Sequence, residues 1–308
     1  DVCDGQDNAC DGVVDEDFVD SESGLYQTNE HCGKCGTNCS TLDFPNGSGE
    51  CGIVEGIPVC GLQCDALFFD VNSNPADGCE CEYTSDVDFP DLTGAGVLND
   101  ANCDGVDGEI GNGVFVAKNG DDGASGSIDA PVLSIAAAIA KAKDLGRRDI
   151  YVATGVYQES VVLAEGIGIY GGYSSDFRQR NKVLYETVIF GTQPSNEAPG
   201  AINCVELGGG ESLTFFDGFT VFGFNTDTPG TSSYGVYARD CESGVLISNN
   251  TIYGGDGGDG NDGLPGVAGS DGTQGSSGST AKASAGVICN ETTNGGSGGG
   301  KFCGGANV

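Results

Sequence analysis

Ile169-Tyr170-Gly171, Ile189-Phe190-Gly191, Val221-Phe222-Gly223 and Ile252-Tyr253-Gly254 decide the fold. A branched aliphatic, an aromatic and a glycine recur at intervals of 20, 32 and 31 residues. A recurring strand with loops of varying length between its copies is the mark of a solenoid. Parallel strands stack about 4.8 Å apart, so like side chains pile on like. Aliphatic columns then fill the interior, and Gly or Asn permits the tight corner. The competing reading is a β-sandwich in which the likeness is accidental.

The surrounding sequence extends this zone to 112–253, predicted as a parallel β-helix. Val114-Phe-Val-Ala, Ile150-Tyr-Val-Ala, Val161-Val-Leu and Leu213-Thr-Phe-Phe read as further strands. One helix interrupts them near 131–145. Pro131 suits a first turn, Ile135, Ile139, Ala142 and Leu145 repeat at helical spacing, and Gly146 fits the C-terminal cap. Beyond it lies a glycine-rich zone, 254–308. Gly recurs at 254, 257, 260, 263, 266, 269, 272, 275 and 278. That spacing lets extended segments pack closely, but Pro265 alone is too little proline for collagen. A flat bundle of extended segments or a disordered insertion is expected, with Val287-Ile-Cys289 as a final rung.

On the other side lies zone 1–111, dense in Cys, Asp, Asn and Gly. It has too few apolar residues to build a core, so disulfides and metals must hold it. Gly52-Ile53-Val54 and Ile57-Pro58-Val59 suggest a small hairpin. The architecture expected is mainly β: a parallel β-helix preceded by a small disulfide-rich region with calcium loops.

Composition narrows the function. The 308 residues carry 46 acids against 12 bases, a formal charge of −34. Such a surface repels nucleic acid, because holding phosphates takes Lys and Arg. Charge of this size also opposes compaction unless cations or salt neutralise it. No apolar run is long enough to span a bilayer. Met is absent, so a secretory signal is expected to have been removed already. Fifteen Cys point to an oxidising, extracellular compartment. The disulfide candidates are Cys3, Cys10, Cys32, Cys35, Cys39, Cys51, Cys60, Cys64, Cys79, Cys81, Cys103, Cys204, Cys241, Cys289 and Cys303. The number is odd, so one thiol is free or pairs outside this chain. Cys32-Gly-Lys-Cys35-Gly-Thr-Asn-Cys39 also has zinc-like spacing, but the compartment favours disulfides.

Calcium takes six to eight oxygen ligands, and alternating Asp or Asn on a tight loop supplies them. Asp100-Ala-Asn102-Cys-Asp104-Gly105 matches D-x-[DN]-x-[DN]-G, with Asp107 or Glu109 expected to complete the shell. In the segment from Asp4, Asp7, Asp11 and Gly12 hold the first, fifth and sixth loop places and Asp15 the ninth. Ala9 offers no oxygen at the third place, and Asp4 is the natural substitute. Asp70-Val-Asn72-Ser-Asn74-Pro-Ala-Asp77 alternates donors but has Pro75 where Gly is usual. The alternative for each is a solvated Asx-turn cluster.

Catalytic signals are sparse. His31 is the only His and adjoins Cys32. A polysaccharide lyase or hydrolase acting on acidic glycans would draw on Arg239-Asp240, or on a carboxylate pair from Glu206, Asp217 or Asp240. Arg178 and Arg180 fall in a loop. Asn249-Asn-Thr251 and Asn290-Glu-Thr292 are acceptor sequences for glycosylation.

Cys3-Asp-Gly-Gln-Asp-Asn-Ala-Cys-Asp-Gly-Val-Val-Asp-Glu16 resembles a metal-binding motif of large secreted bacterial proteins, found also in a copper-binding surface protein. That family usually has Asp in place of Ala9. Cys32 to Cys39 resembles the Cys-Gly-x-Cys-Gly-x-x-Cys run of the same proteins, and 70–80 and 99–109 resemble their later loops. The stretch from Gly126 through Ala130-Pro131 to Ile169-Tyr-Gly-Gly-Tyr173 and Arg180 is similar to the pectate-lyase-like β-helix of bacterial surface proteins. This likeness implies a right-handed solenoid entered by a capping helix. Such proteins include adhesins and matrix proteins as well as lyases, so fold does not settle function. The leading expectation is a calcium-stabilised structural or adhesive cell-surface protein that self-associates, as a homopolymeric fibre or matrix, with extracellular polysaccharide as a partner. A lyase or hydrolase and a copper or calcium scavenger are the alternatives.

Overall fold

A computed structural model of the chain describes residues 2–91 and 100–278, with the backbone of Phe302–Cys303 and Ala306–Asn307. The chain divides into two compact units, Asp1–Asp259 and Gly260–Val308. The Cys-rich region and the solenoid share the first.

The Cys-rich region holds seven short strands: β1 (Gln27–Thr28), β2 (His31–Cys32), β3 (Asp43–Phe44), β4 (Gly47–Val54), β5 (Ile57–Cys64), β6 (Phe68–Phe69) and β7 (Cys81–Glu82). The predicted hairpin is β4 with β5, longer than its sequence signal because Cys51 and Cys60 pair across it. Neither bonds the other. Cys51 joins Cys32, and Cys60 joins Cys39. The remaining bonds, Cys3–Cys35, Cys64–Cys79 and Cys81–Cys103, link successive segments along the region. These cross-links stand in for a core: Ile53, Val54, Ile57 and Val59 of the hairpin are all exposed.

The solenoid makes about four turns. Its strands are β8 (Gly113–Val116), β9 (Asp149–Ala153), β10 (Gly155–Gln158), β11 (Val161–Val162), β12 (Gly168–Tyr173), β13 (Thr187–Phe190), β14 (Gly200–Val205), β15 (Thr214–Asp217), β16 (Thr220–Phe222), β17 (Tyr234–Arg239), β18 (Val245–Ser248) and β19 (Thr251–Tyr253). They form three parallel sheets, ordered β8-β9-β12-β15-β18, β10-β13-β16-β19 and β11-β14-β17. Register stacks like on like. Val114, Ile150, Ile169, Phe216 and Ile247 form one inner column. Tyr157, Ile189, Val221 and Ile252 form the second, and Val161, Ile202 and Val236 the third. A shift of one residue would turn each column to solvent, so the hydrophobic pattern fixes the register. The Cys204–Cys241 bond ties neighbouring turns. The corner after β15 uses Gly218 at φ 86°, and the equivalent corner after β18 uses Asn249 at φ 53°, the two residue types that tolerate this region.

Two expectations need correction. Only three copies of the tripeptide repeat share a sheet. Ile189-Phe190, Val221-Phe222 and Ile252-Tyr253 lie in register, but Ile169-Tyr170 belongs to β12 in the five-stranded sheet. The 20-residue interval is part of a turn, and Gln158 occupies the place above Phe190. The helix, α1, runs Ile135–Leu145 and starts after Pro131 rather than at it. Val132 still pairs with β8, accepting from Ala117 N–H and donating to Phe115 O at 2.9 Å each, which delays the helix. Ser134 then caps it, and Gly146 ends it at φ 65° as expected. Packed on Val114 and Ile150 at the start of the first column, α1 covers the first turn.

After β19, Gly254–Asp259 stays extended, bonding main chain to Thr226, Gly230 and Thr231. The glycines that permit this closeness are Gly255 and Gly258, where a Cβ would lie 2.5 Å and 1.9 Å from its neighbours. They are out of phase with the repeating frame that begins at Gly254. Residues 260–278 form no helix or strand and are exposed. In the second unit β20 (Phe302–Cys303) pairs antiparallel with β21 (Ala306–Asn307). Cys289, the Cys303 side chain, the rung expected at Val287 and the Asn290 acceptor lie outside the described residues.

Candidate functional site

The three acidic loops, counted from Asp7, Asp70 and Asp100, share one backbone. The fourth residue of each is left-handed: Cys10 at φ 56°, Ser73 at 58° and Cys103 at 54°. The first carboxylate accepts the fifth residue's N–H, Asp7 from Asp11 at 3.3 Å, Asp70 from Asn74 at 3.1 Å and Asp100 from Asp104 at 3.1 Å. The fifth side chain accepts the seventh N–H: Asp11 from Val13 at 3.0 Å, Asn74 from Ala76 at 3.3 Å, Asp104 from Val106 at 3.1 Å. In the outer two loops the first Asp also takes the Gly N–H, from Gly12 at 2.8 Å and Gly105 at 2.7 Å. Pro75 has no N–H, so the middle loop lacks this bond. A carboxylate offers about four acceptor sites, so two amides leave room for a cation.

The donor set suits a hard cation only in part. Asn102 accepts from Asp104 N–H at 3.0 Å, and Asn72 accepts from Asn74 N–H at 2.7 Å while donating to Asp77 at 3.0 Å. Asp4 accepts from Gln6 N–H and from the Asn8 amide, at 3.0 Å each. Asp15 is fully buried and takes Asp4 N–H at 3.1 Å, Gly5 N–H at 2.9 Å and the Tyr26 hydroxyl. The tyrosine bond holds its pKa below the usual carboxylate value. Glu109 pairs with Arg148 at 2.9 Å, and Asp107 accepts Asp91 N–H at 2.8 Å, so both face bonds outside their own loop. Among the described residues no three carboxylates gather within 4.8 Å of one another. Calcium would be held by pairs such as Asp7 with Asp11, or Asp100 with Asp104, together with amide and main-chain oxygens.

The cysteines pin the loops unequally. Cys79 closes the middle loop through Cys64, and Cys103, inside the last loop, reaches Cys81. In the first loop Cys10 is free and exposed, and Cys3 does the anchoring through Cys35.

The last loop is fastened to the solenoid. Val106 sits in a cluster with Phe115, Tyr151, Tyr170, Tyr173 and Phe177 on the outer face of the five-stranded sheet. The Tyr173 hydroxyl donates to Asp107 O at 2.6 Å, and Glu109 N–H donates to the Tyr151 hydroxyl at 2.8 Å. Arg180, read from sequence as a loop residue, has a side chain only 6% exposed. It donates to Gly171 O at 3.0 Å, to Asp91 O and to Asp217. Asp88, which carries no motif, is buried and accepts Gly108 N–H at 2.8 Å. Loss of solvent pushes the Asp88 pKa up to about 7 and that of Asp107 to about 6, and raises that of Asp100. Folding therefore makes these carboxyls easier to protonate than they are in the unfolded chain. With calcium chelated, their contribution to stability is therefore full below about pH 4 and lost as pH rises through 6 and 7. Melting in EGTA from pH 5 to pH 8 is expected to show a falling Tm. Saturating calcium is expected to lessen only the part of the fall owed to Asp100, and a flat profile in EGTA would contradict the linkage.

Two residues named for other chemistry, His31 and Asp217, are held in structural bonds. His31 Nδ1 accepts Gly36 N–H at 3.0 Å, so its lone pair is taken even though Cys3 Sγ lies 3.2 Å away. With Cys3 and Cys35 bonded to each other, this trio is a structural knot. Asp217 is held by Arg180, by Ser248 Oγ at 2.8 Å and by Asn249 Nδ2 at 2.7 Å. It is not available to a carboxylate pair, and Asn249 is not free as an acceptor for sugar. Arg239 is exposed and pairs with Glu206 at 3.2 Å and Asp240 at 3.7 Å. No helix among the described residues is long and apolar enough to cross a membrane. No protein-family model, curated protein or solved structure matches this chain.

Proposed function

We propose that this protein is a calcium-stabilised extracellular structural or adhesive protein. The observation that supports the reading is the common wiring of the Asp7, Asp70 and Asp100 loops. Three segments of different sequence wrap their amides around a leading carboxylate in one conformation, and each includes, adjoins or lies within a disulfide-closed segment. Cations there neutralise part of a charge of −34 and rigidify a region with little apolar interior. The last loop passes that rigidity to the solenoid through Val106 and the tyrosines around it. A firm scaffold of this kind suits cell-surface structure or adhesion, and assembly with further copies follows from the same reading.

The test is metal content and self-association. Protein dialysed against micromolar calcium should carry up to three ions per chain, and sedimentation should show chelator-sensitive association. A protein that retains no calcium, and whose sedimentation is indifferent to EGTA, would refute the reading.

A further inference from the structure

The outer face of the sheet β10-β13-β16-β19 carries a ladder unused by the fold or by the metal loops. Phe190, Phe222 and Tyr253 stack with ring centroids 4.8 Å apart at each step and planes within about 11°. They point away from the Tyr157-Ile189-Val221-Ile252 column, because residues adjacent in a strand face opposite sides of it. Phe190 is 41% exposed and Tyr253 50%, an uncommon state for large rings in register. Gln158 extends the ladder by one step.

Beside the ladder runs a groove of about 700 Å³, lined by Gln158, Phe190, Gln193, Phe222, Asn225 and Asp256. Gly191, Thr192, Gly223, Phe224 and Gly254 complete the lining, and a Cβ at Gly254 would meet open space. The Gln158 and Gln193 side chains have no hydrogen-bond partner within the described chain. Asn225 uses only its oxygen, accepting Asp256 N–H at 2.8 Å, which leaves its NH₂ free. One wall is therefore a strip of ring edges, and the other offers unspent amide donors and acceptors. No Lys or Arg lines the groove, and Asp256 is its only charge.

We infer that this groove binds a neutral polysaccharide, an inference that rests on the adhesive reading above and names its ligand. A sugar chain presents apolar C–H surfaces and hydroxyls side by side, as the two walls require. Acidic glycans are disfavoured, since nothing cationic lines the groove and the whole chain repels them. An extended peptide would seek free main-chain groups on a sheet edge, whereas the middle strands here are paired on both sides.

The experiment is affinity electrophoresis of the full calcium-loaded chain through gels containing dextran, galactomannan or mixed-linkage β-glucan, with polygalacturonate and alginate as acidic counterparts. At least one neutral polymer should retard the protein and neither acidic one should. Gln193→Ala with Asn225→Ala, both in exposed loop positions, should weaken retardation about tenfold, and Phe190→Ser should do the same. Calcium content and Tm of each variant should match the parent. Indifference to all three neutral polymers, equal retardation by acidic ones, or unchanged binding in both variants overturns the inference. So does a finding that the variants alter self-association instead, which would make the groove an interface between copies. Metal content is read separately, so loss of calcium with retained sugar binding would fault the structural reading and leave this one standing.

Discussion

Arg180→Ala is expected to destabilise the first unit by about 3–5 kcal/mol, the usual cost of breaking a buried ion pair from one side. The Arg180 side chain is 6% exposed and that of Asp217 2%. The guanidinium lies 5.5 Å from the ring centres of both Tyr170 and Tyr173, and it donates to Gly171 O, Asp91 O and Asp217. It therefore joins a solenoid strand, a later rung and the segment that leads toward the last acidic loop. Alanine leaves Asp217 charged among Ser248 and Asn249 without its counter-ion, and strips Asp107 of the positive charge that favours its ionised form. Lysine is expected to be a poor substitute, because its compact ammonium lacks the planar fork that spreads over three acceptors and two rings. The double variant Arg180→Met, Asp217→Leu should recover much of the loss, since the cost lies in the orphaned charge. Thermal melting checks both: the single variant should drop Tm on the order of 10 °C. A single variant that melts with the parent would show that the clasp is not holding the loop.

The second large effect concerns calcium and Asp100. A ligand at a hundredfold its Kd stabilises a fold by about 2.7 kcal/mol per site, so stripping calcium should lower Tm by several degrees for each loop emptied. Asp100→Asn separates the ion from the loop. The amide oxygen can still accept Asp104 N–H, but its NH₂ cannot accept Gly105 N–H, so the turn keeps one of its two bonds to this side chain. Burial raises the Asp100 pKa, so in EGTA at pH 8 removing the charge should offset much of the lost Gly105 bond and the variant should melt close to the parent. In millimolar calcium it should melt well below the parent, because the variant loses a charged ligand. Divergence of the two melting series on adding calcium is the expected signature. A variant less stable than the parent by the same margin in both media would mean that Asp100 serves the turn alone.

The glycine-rich tail shows how periodicity can mislead. Every-third-residue glycine suggested close packing of extended chain or a disordered insertion, yet Gly255 and Gly258, outside that frame, are the residues pressed against neighbours. The tripeptide repeat misplaced Ile169-Tyr170-Gly171 in the same way. A pattern records residue chemistry, and the length of each turn decides which copies come into line.

Local chemistry was sufficient for much else. Alternation of Val and Ile with outward residues set the columns of the solenoid, Gly and Asn marked its corners, Gly146 ended its helix, and alternating Asp and Asn drew the three loops. Each of these depends on neighbours a few residues away, whose sterics and hydrogen bonds are encoded together. What only tertiary structure decided was the set of contacts between residues far apart in the chain. Cys3 found Cys35 and left Cys10 free, Arg180 reached Asp91 and Asp217, Asp88 became a buried acid, and an aromatic face was covered by Val106. Charge and size alone do not mark such residues, because burial and pairing arise only once the loops are laid against the solenoid.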